Sequence, residues 1–341
     1  MRTETRILFD AYMQRLADIN HVALSTVATK FTADPSVQQT LENKVQESSE
    51  FLKRINLLGV DEQEGEKIGL GLSGPVASTQ KTEGSGSAER ATRDLSTLDD
   101  TRYRCEQTNY DTHVRYGTLD AWAKFHDFQT RLSGMIIARM ALDRIMIGFN
   151  GVSRAATSNP ATNPLLQDVN IGWLEKVRTK APQRWIKETA AGSNQIPIGN
   201  KGDEYQTLDG LVYDLVNSLI EPWYQDDTRL VAVCGRKLLA DKYFPLVNQK
   251  QDASEVLASD MIISQKRIGG LPAVRVPHFP ANAVLVTRLD NLSIYYQRGA
   301  QRRAVIDNPK RDRIETYQSS NDAFVIEDYG CVALAENIVL A

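Results

Sequence analysis

The 341-residue sequence predicts an α+β fold, on three observations. Thr118 to Asn150 carries a helical apolar period with no proline; the last third runs in short apolar or alternating segments bounded by turn residues; and a polar tract, Ser73 to Asp100, separates two strand-like stretches. The length corresponds to about two domains' worth of chain. A composition of 42% hydrophobic and 24% charged residues is that of a globular protein, which excludes collagen, mucin and fully disordered chains.

The first element is an amphipathic helix over Ile7 to Ile19, with Leu8, Ala11, Tyr12, Leu16 and Ile19 on one face and Arg6, Asp10, Gln14 and Asp18 opposite. Ala28 to Ala33 reads as a linker. A second helix starts at Asp34-Pro35, a carboxylate N-cap followed by proline at the first helical position, and is expected to run through Val37, Leu41, Val45 and Leu52. Ile68, Leu70 and Leu72 alternate with lysine and glycine, so Lys67 to Leu72 is expected as a strand, with Tyr103 to Tyr116 as its partner. The tract between them holds Gly84-Ser85-Gly86-Ser87 and almost no large apolar residue. A long two-stranded arm is marginal in isolation, so the expected support is a neighbouring protein chain.

Thr118 to Asn150 places Leu119, Trp122, Phe125, Ile136, Met140 and Ile147 at apolar positions, and sets opposite charges four apart at Asp120 and Lys124, Asp127 and Arg131, and Arg139 and Asp143. At 1.5 Å per residue such a helix is roughly 45 to 50 Å long, the dimension of a strut. Beyond it the pattern predicts a helix over Leu208 to Ile220, a buried strand over Leu230 to Val233 and a helix over Arg236 to Lys242. Strands follow at Ala283 to Thr287, Leu292 to Tyr296, Ala323 to Glu327 and Cys331 to Ala335, between turns such as Leu289-Asp290-Asn291 and Asn308-Pro309. No internal repeat of fixed period is present.

Forty basic against 43 acidic residues give a net charge of −3, without the basic excess that counterion release from nucleic acid needs. Cys105, Cys234 and Cys331 are widely spaced and odd in number, which fits neither a disulfide framework nor a zinc site. The N-terminus lacks an apolar signal core and no apolar run reaches the roughly 20 residues that span a bilayer, so a reducing cytoplasm is expected.

Gly69-Leu70-Gly71-Leu72-Ser73-Gly74 matches G-x-G-x-x-G, but Pro75 and a polar tract stand where a dinucleotide site needs a helix N-terminus. Gly71 to Pro75 approaches a nucleophile elbow and fails for the same reason. His21, His113, His126 and His278 lack metal-ligand spacing, and Glu62, Glu64 and Glu66 read as a solvated acidic edge. No catalytic, cofactor or metal residue is assigned. Arg302-Arg303 and Lys310-Arg311-Asp312-Arg313 are interrupted by acids and fit intersubunit ion pairs. Trp122, Phe125 and Trp223-Tyr224 fit core packing and also interface anchors.

An N-terminal arm, a long glycine-tipped hairpin, a strut helix and a mixed α/β remainder, in that order, resemble the HK97-like capsid fold. Gly65-Glu66-Lys67-Ile68-Gly69, Gly148-Phe149-Asn150-Gly151-Val152, Leu219-Ile220-Glu221-Pro222-Trp223-Tyr224-Gln225, Leu239-Ala240-Asp241-Lys242-Tyr243-Phe244-Pro245 and Asn291-Leu292-Ser293-Ile294-Tyr295-Tyr296 are similar to segments of the major capsid proteins of P2-like tailed bacteriophages. The likeness runs to about Glu336 and weakens around Ser78 to Ser96 and Glu188 to Lys201.

The resemblance implies a non-enzymatic shell subunit, without cofactor, that forms hexamers and pentamers of an icosahedral head around double-stranded DNA without reading its sequence. It implies assembly in the bacterial host cytoplasm with an internal scaffold, a capsid protease and a portal, and residence in the virion capsid; a satellite-encoded size-determining scaffold is a further partner it allows. No membrane partner is implied. The expected layout is an N-terminal arm over 1–50, a peripheral domain over 51–66 and 101–164 with its spine helix at 118–150, an extended loop over 67–100, an axial domain over 165–297, peripheral return strands over 298–330 and a C-terminal segment over 331–341. Candidate subunit contacts are Ile68, Leu70, Leu72, Arg90 and Arg93 on the loop, Trp122, Arg131, Arg139 and Asp143 on the spine, and Trp223, Arg302, Arg303, Lys310, Arg311 and Arg313 elsewhere. Maturation is expected to remove the first helix by a cut between Thr29 and Asp34, with Lys30, Phe31 and Thr32 as candidates. The competing readings are a cytoplasmic α/β enzyme and a monomeric binding module.

Overall fold

The computed structural model describes residues 1–67, 77, 102–122, 128–240, 242 and 267–340. The helices are α1 (Thr3–Ile19), α2 (Leu24–Val27), α3 (Pro35–Glu47), α4 (Tyr116–Trp122), α5 (Phe128–Asn150), α6 (Trp173–Lys180), α7 (Leu208–Asp214) and α8 (Pro222–Gln225). The first strands are β1 (Phe31–Thr32), β2 (Asn56–Val60), β3 (Glu64–Glu66), β4 (Arg102–Arg104), β5 (Glu106–Asn109) and β6 (Thr112–Arg115). Then come β7 (Trp185–Ile186), β8 (Ile196–Ile198), β9 (Leu230–Cys234), β10 (Arg267–Ile268) and β11 (Leu271–Val274). The last are β12 (Val284–Arg288), β13 (Leu292–Gln297), β14 (Arg302–Asn308), β15 (Arg313–Ile326), β16 (Val332–Ala335) and β17 (Ile338–Leu340).

A seven-stranded sheet is organised by β15, which pairs with β13 and β14 along one edge and with β5 and β6 along the other, so that Asp322 stands between Tyr296 and Glu106 and Ser319 between Arg302 and Asn109; β1 adds to β14 and β2 to β13. A six-stranded sheet runs β10-β11-β9-β12-β16-β7. The chain passes between the sheets at the turn Leu289–Asn291, because β13 pairs with β15 and β2. On the near side of that turn, β12 pairs with β16, an inner strand of the second sheet that also pairs with β7.

Strand alternation divides the core. Val231 and Val233 of β9 and Leu285 of β12 face a cluster shared with α5, α6 and the first sheet. Ala232, Cys234, Val284 and Val286 face a second cluster packed on α7. Trp173 sits at the centre of the first, with ring centroids of Phe51, Phe149 and Phe324 between 5.1 and 6.1 Å away. A Cβ on Gly148 would lie 2.3 Å from the Trp173 ring, so that glycine sets how closely α5 approaches α6.

Three local expectations need correction. The helix α3 starts as read, with the Asp34 side chain accepting from the Ser36 amide at 2.8 Å, but stops at Glu47, and Leu52 falls in a 3-10 turn. There Ser48 turns its hydroxyl onto the Val45 carbonyl, competing with further helix. Ala28 to Ala33 is not a free linker: β1 pairs antiparallel with Arg302 and Arg303 of β14, and Phe31 is buried. Two paired residues are too few to show a strand period. Finally, the hairpin begins earlier than expected, at β3 paired with β4, and the rest of Tyr103 to Tyr116 joins β15 instead of the arm. Cys105 divides the two roles, being fully buried with its amide donating to the Gln63 carbonyl at 2.7 Å. Residues 68–72 of the expected arm strand, its polar tip apart from residue 77, and residues 123–127 of the helix expected at Thr118 to Asn150 lie outside the described residues, as does residue 241 of the helix expected at Arg236 to Lys242, whose residues 236–240 and 242 are helical.

Candidate assembly surfaces

The N-terminal 34 residues wrap the first sheet and the strut. Leu16 and Ala17 of α1 and Val27 of α2 are buried with Leu119, Val305 and Ile314. Arg6 Nη1 donates to Asp307 Oδ2 at 2.6 Å, and the Tyr116 hydroxyl donates to the other oxygen of the same carboxylate. Burial and that hydrogen bond push the Tyr116 phenol up to about 12. The Arg2 amide donates to Asp120 at 2.9 Å, and Arg303 donates to the Tyr12 hydroxyl at 2.8 Å.

Deeper, a charged cluster binds the arm helix to the strut and to β15. Arg144 of α5, with no exposed side-chain surface, donates to both carboxylate oxygens of Glu42 on α3, to both oxygens of Asp322 at 3.1 Å and to the Ser320 hydroxyl at 3.2 Å. Tyr110 adds a bond to Asp322 at 3.2 Å. One guanidinium between two carboxylates leaves the dry cluster formally anionic, so desolvation, reinforced by Asp322 against the pull of Arg144, holds the Glu42 carboxyl above its ordinary value. Sequence reasoning missed these residues. The available signal was Arg144 interrupting an apolar run, Ile145-Met146-Ile147-Gly148-Phe149, where a charge needs a buried partner.

The pair β3 and β4 sits on a packed base. Tyr103 of β4 meets Tyr295 of β13 edge-on at 5.1 Å, Tyr295 donates to Glu327 at 2.9 Å, and Lys67 donates to the Ile326 carbonyl at 2.9 Å. Burial beneath this base pushes the Lys176 amine down to about 8 and the Cys105 thiol up to about 12. Gln63, Gln107, Gln297, Arg298, Arg302 and Asn321 line a polar hollow of about 310 Å³ beside it.

The other sequence candidates are dispersed. Ile68, Leu70, Leu72, Arg90 and Arg93 lie outside the described residues, and for Trp122 and Arg131 the description covers helical backbone alone. Arg139 and Asp143 form the expected helical pair at 2.9 Å without a well-directed hydrogen bond; Arg139 is exposed, and burial pushes the Asp143 carboxyl up. Trp223 is 47% exposed at the start of α8, beside Tyr224, which donates to Asp328 at 2.6 Å. Arg302 and Arg303 are the ladder partners of β1. Lys310 and Arg311 stand on an exposed 3-10 turn, while Arg313 reaches Glu315 of its own chain at 2.6 Å, as does Arg311 at 3.9 Å. Of the ion pairs expected between subunits, those two arginines thus have a partner within the chain, because β15 sets Glu315 two residues from Arg313 on one face. Lys30, Phe31 and Thr32 lie in and beside β1.

Among the described residues no cluster of histidine, cysteine, aspartate or glutamate can hold a metal ion. What the described residues offer is a two-sheet body, the long helix α5, a strapped N-terminus and the paired β3 and β4, and this is the HK97-like capsid fold. The capsid subunit of an empty GTA particle has the same fold, with a TM-score of 0.53 over 86% of this chain and 90% of that one at 16% identity. The profile of the family described as phage major capsid protein, P2 family, matches residues 8–338, and the chain belongs to that family. It is 54% identical over 343 residues to the capsid protein of Escherichia phage P2, covering 99% of this chain and 95% of that protein. It is 44% identical over 346 residues to the major capsid protein of Serratia phage KSP20, covering 100% and 98%. A subunit of the satellite phage P4 procapsid that includes the size determination protein superposes with a TM-score of 0.83 at 50% identity, over 100% of this chain and 99% of that one. The chain is therefore a phage major capsid protein that self-assembles into the shell of the virion, a structural role and not an enzymatic one. No helix among the described residues is long and apolar enough to cross a membrane.

Proposed function

We propose that this subunit builds an icosahedral head from hexamers and pentamers, encloses double-stranded DNA without reading its sequence, and is assembled in the bacterial cytoplasm with an internal scaffold, a capsid protease and a portal. The observation that carries this reading is the full-length likeness to a procapsid subunit, at 50% identity with a TM-score of 0.83. That procapsid includes a size determination protein, so a satellite-encoded scaffold of that kind is a partner of this shell as well. The hairpin rising from β3 and β4 clasps a neighbouring subunit through Ile68, Leu70, Leu72, Arg90 and Arg93, because its tract from Ser73 to Asp100 has too little apolar surface to fold alone. Trp122 and Arg131 on the strut, exposed Trp223, and the outward Arg302, Lys310 and Arg311 serve the remaining subunit contacts. The first helix serves the precursor and is trimmed at Lys30, Phe31 or Thr32.

Size-exclusion chromatography and negative-stain microscopy of the expressed chain test the assembly reading: rings, tubes or shells support it, and a persistent monomer defeats it. Deleting residues 73–100 should leave a soluble chain that forms no shells. Intact-mass measurement of subunits from DNA-filled particles tests trimming, which subunits starting at Met1 or Arg2 would exclude.

A further inference from the structure

The segment expected to be cut is not presented to a protease in this fold. Proteases engage substrates as extended chain with free backbone groups, and they act where local structure opens readily. Here the backbone of Phe31 and Thr32 is committed to Arg303 and Arg302 of β14, and the Ala33 amide donates to the Gln301 carbonyl at 2.9 Å. The Phe31 ring is buried beside Val27 and Val305, and the Asp34 amide donates to the Asn20 side chain at 3.3 Å, so both flanks are tied as well. Upstream, α1 is held over β14 by few polar contacts, and the shared Asp307 carboxylate is the most connected of them. It lies on the strand that pairs with β1, and it receives Arg6 from α1 and Tyr116 from the start of α4.

We propose that residues 1–34 form a latched strap, in which Asp307 pins α1 through Arg6 and Tyr116, keeps β1 zipped to β14, and withholds the backbone from Lys30 to Thr32 from proteolysis until the latch opens. This rests on the trimming reading above. It adds that the precursor regulates its own cut, since cutting requires α1 to lift and β1 to leave the sheet. The strap also covers Leu119, Val305 and Ile314, so opening carries an apolar cost that keeps the closed form dominant.

Lys30 is the first lysine in the chain, so a lysine-specific endoprotease acting on the full-length unassembled subunit reports on this segment through release of a 30-residue fragment, read by intact mass. When opening and closing are fast, the cutting rate follows the open population. Arg6→Ala and Asp307→Ala should each raise the rate at Lys30–Phe31 roughly tenfold over wild type, as the loss of a partly exposed charge-assisted hydrogen bond requires. Arg15→Ala, on the exposed side of the same helix, should leave it unchanged. Thr32→Cys with Arg302→Cys, which face each other in the ladder, should suppress cutting when oxidised and restore it on reduction. Arg6→Ala changes one helix-surface side chain, so it decides the question even where Asp307→Ala fails to fold. Equal rates in wild type, Arg6→Ala and the oxidised pair, or an equal gain from Arg15→Ala, overturn the latch. These rates are measured before assembly, so full-length subunits in finished particles would defeat the trimming reading alone.

Discussion

Replacing Arg144 by alanine removes the cation that sits between Glu42 and Asp322, both essentially inaccessible to water. Both carboxylates then lose a counter-ion and the hydrogen bonds Arg144 supplied, while Asp322 retains Tyr110 and Ser320. Breaking one buried pair costs about 3 to 5 kcal/mol, and two orphaned carboxylates put this variant at the upper end. Against a whole-chain stability of about 5 to 15 kcal/mol, that is enough to leave the arm helix undocked or the subunit unfolded at ordinary temperature. Urea unfolding of the unassembled subunit, followed by tryptophan fluorescence, measures it, with Trp173 reporting on the core that α5 and α6 share. Arg139→Ala, one turn away on the exposed side of α5, is the control and should cost only a few tenths of a kcal/mol. Arg144→Lys should fall between them, because an ammonium keeps the charge but cannot fork between two carboxylates. A loss below about 1 kcal/mol for Arg144→Ala, or one equal to Arg139→Ala, would refute the clamp.

The same cluster predicts a pH dependence. A Glu42 carboxyl raised above its unfolded value makes the folded state the stronger proton binder, so its contribution is present below the ordinary carboxylate range and is lost as pH rises through the raised value. Glu42→Gln should flatten that fall in thermal midpoints taken from about pH 4 upward, and parallel curves for variant and wild type would defeat the assignment. Trp173→Ala should cost about 3 to 5 kcal/mol by calorimetry or urea, since the ring is fully buried among three others and its indole donates to the Ser293 carbonyl at 3.1 Å. Gly148→Ala should cost about 1 to 3 kcal/mol, because its methyl would sit 2.3 Å from that ring and force α6 away; no loss in the same melts would contradict the close approach. Cys105, Cys234 and Cys331 are all buried, and burial pushes their thiols up to about 12, 11 and 11, so a thiol reagent at neutral pH should label none of them before denaturation.

Where local chemistry decides structure, residue patterns alone were enough. The Asp34-Pro35 cap, the apolar period ending at Asn150, and the runs at Leu230 to Val233, Ala283 to Thr287 and Leu292 to Tyr296 became elements within a residue or two of expectation. Their signals are short-range: a side chain reaching its own backbone, or alternation within one strand. The family was legible for a related reason, since the segments around Gly148 to Val152 and Leu219 to Gln225 are long enough to be specific.

Everything that depended on distant chain crossing had to come from the tertiary structure. Nothing local in Phe31-Thr32 announces a strand, because their pairing is supplied by Arg302 and Arg303, some 270 positions later. The change of sheet at Leu289–Asn291 is likewise invisible in alternation, which is the same on both sides of the turn. The role of Arg144 is likewise set by α3 and β15, which bring Glu42 and Asp322 to it from 102 and 178 residues away. Periodicity records which face of an element is apolar, whereas a buried charge is tolerated only where other segments deliver its partners, and that delivery is a property of the assembled fold.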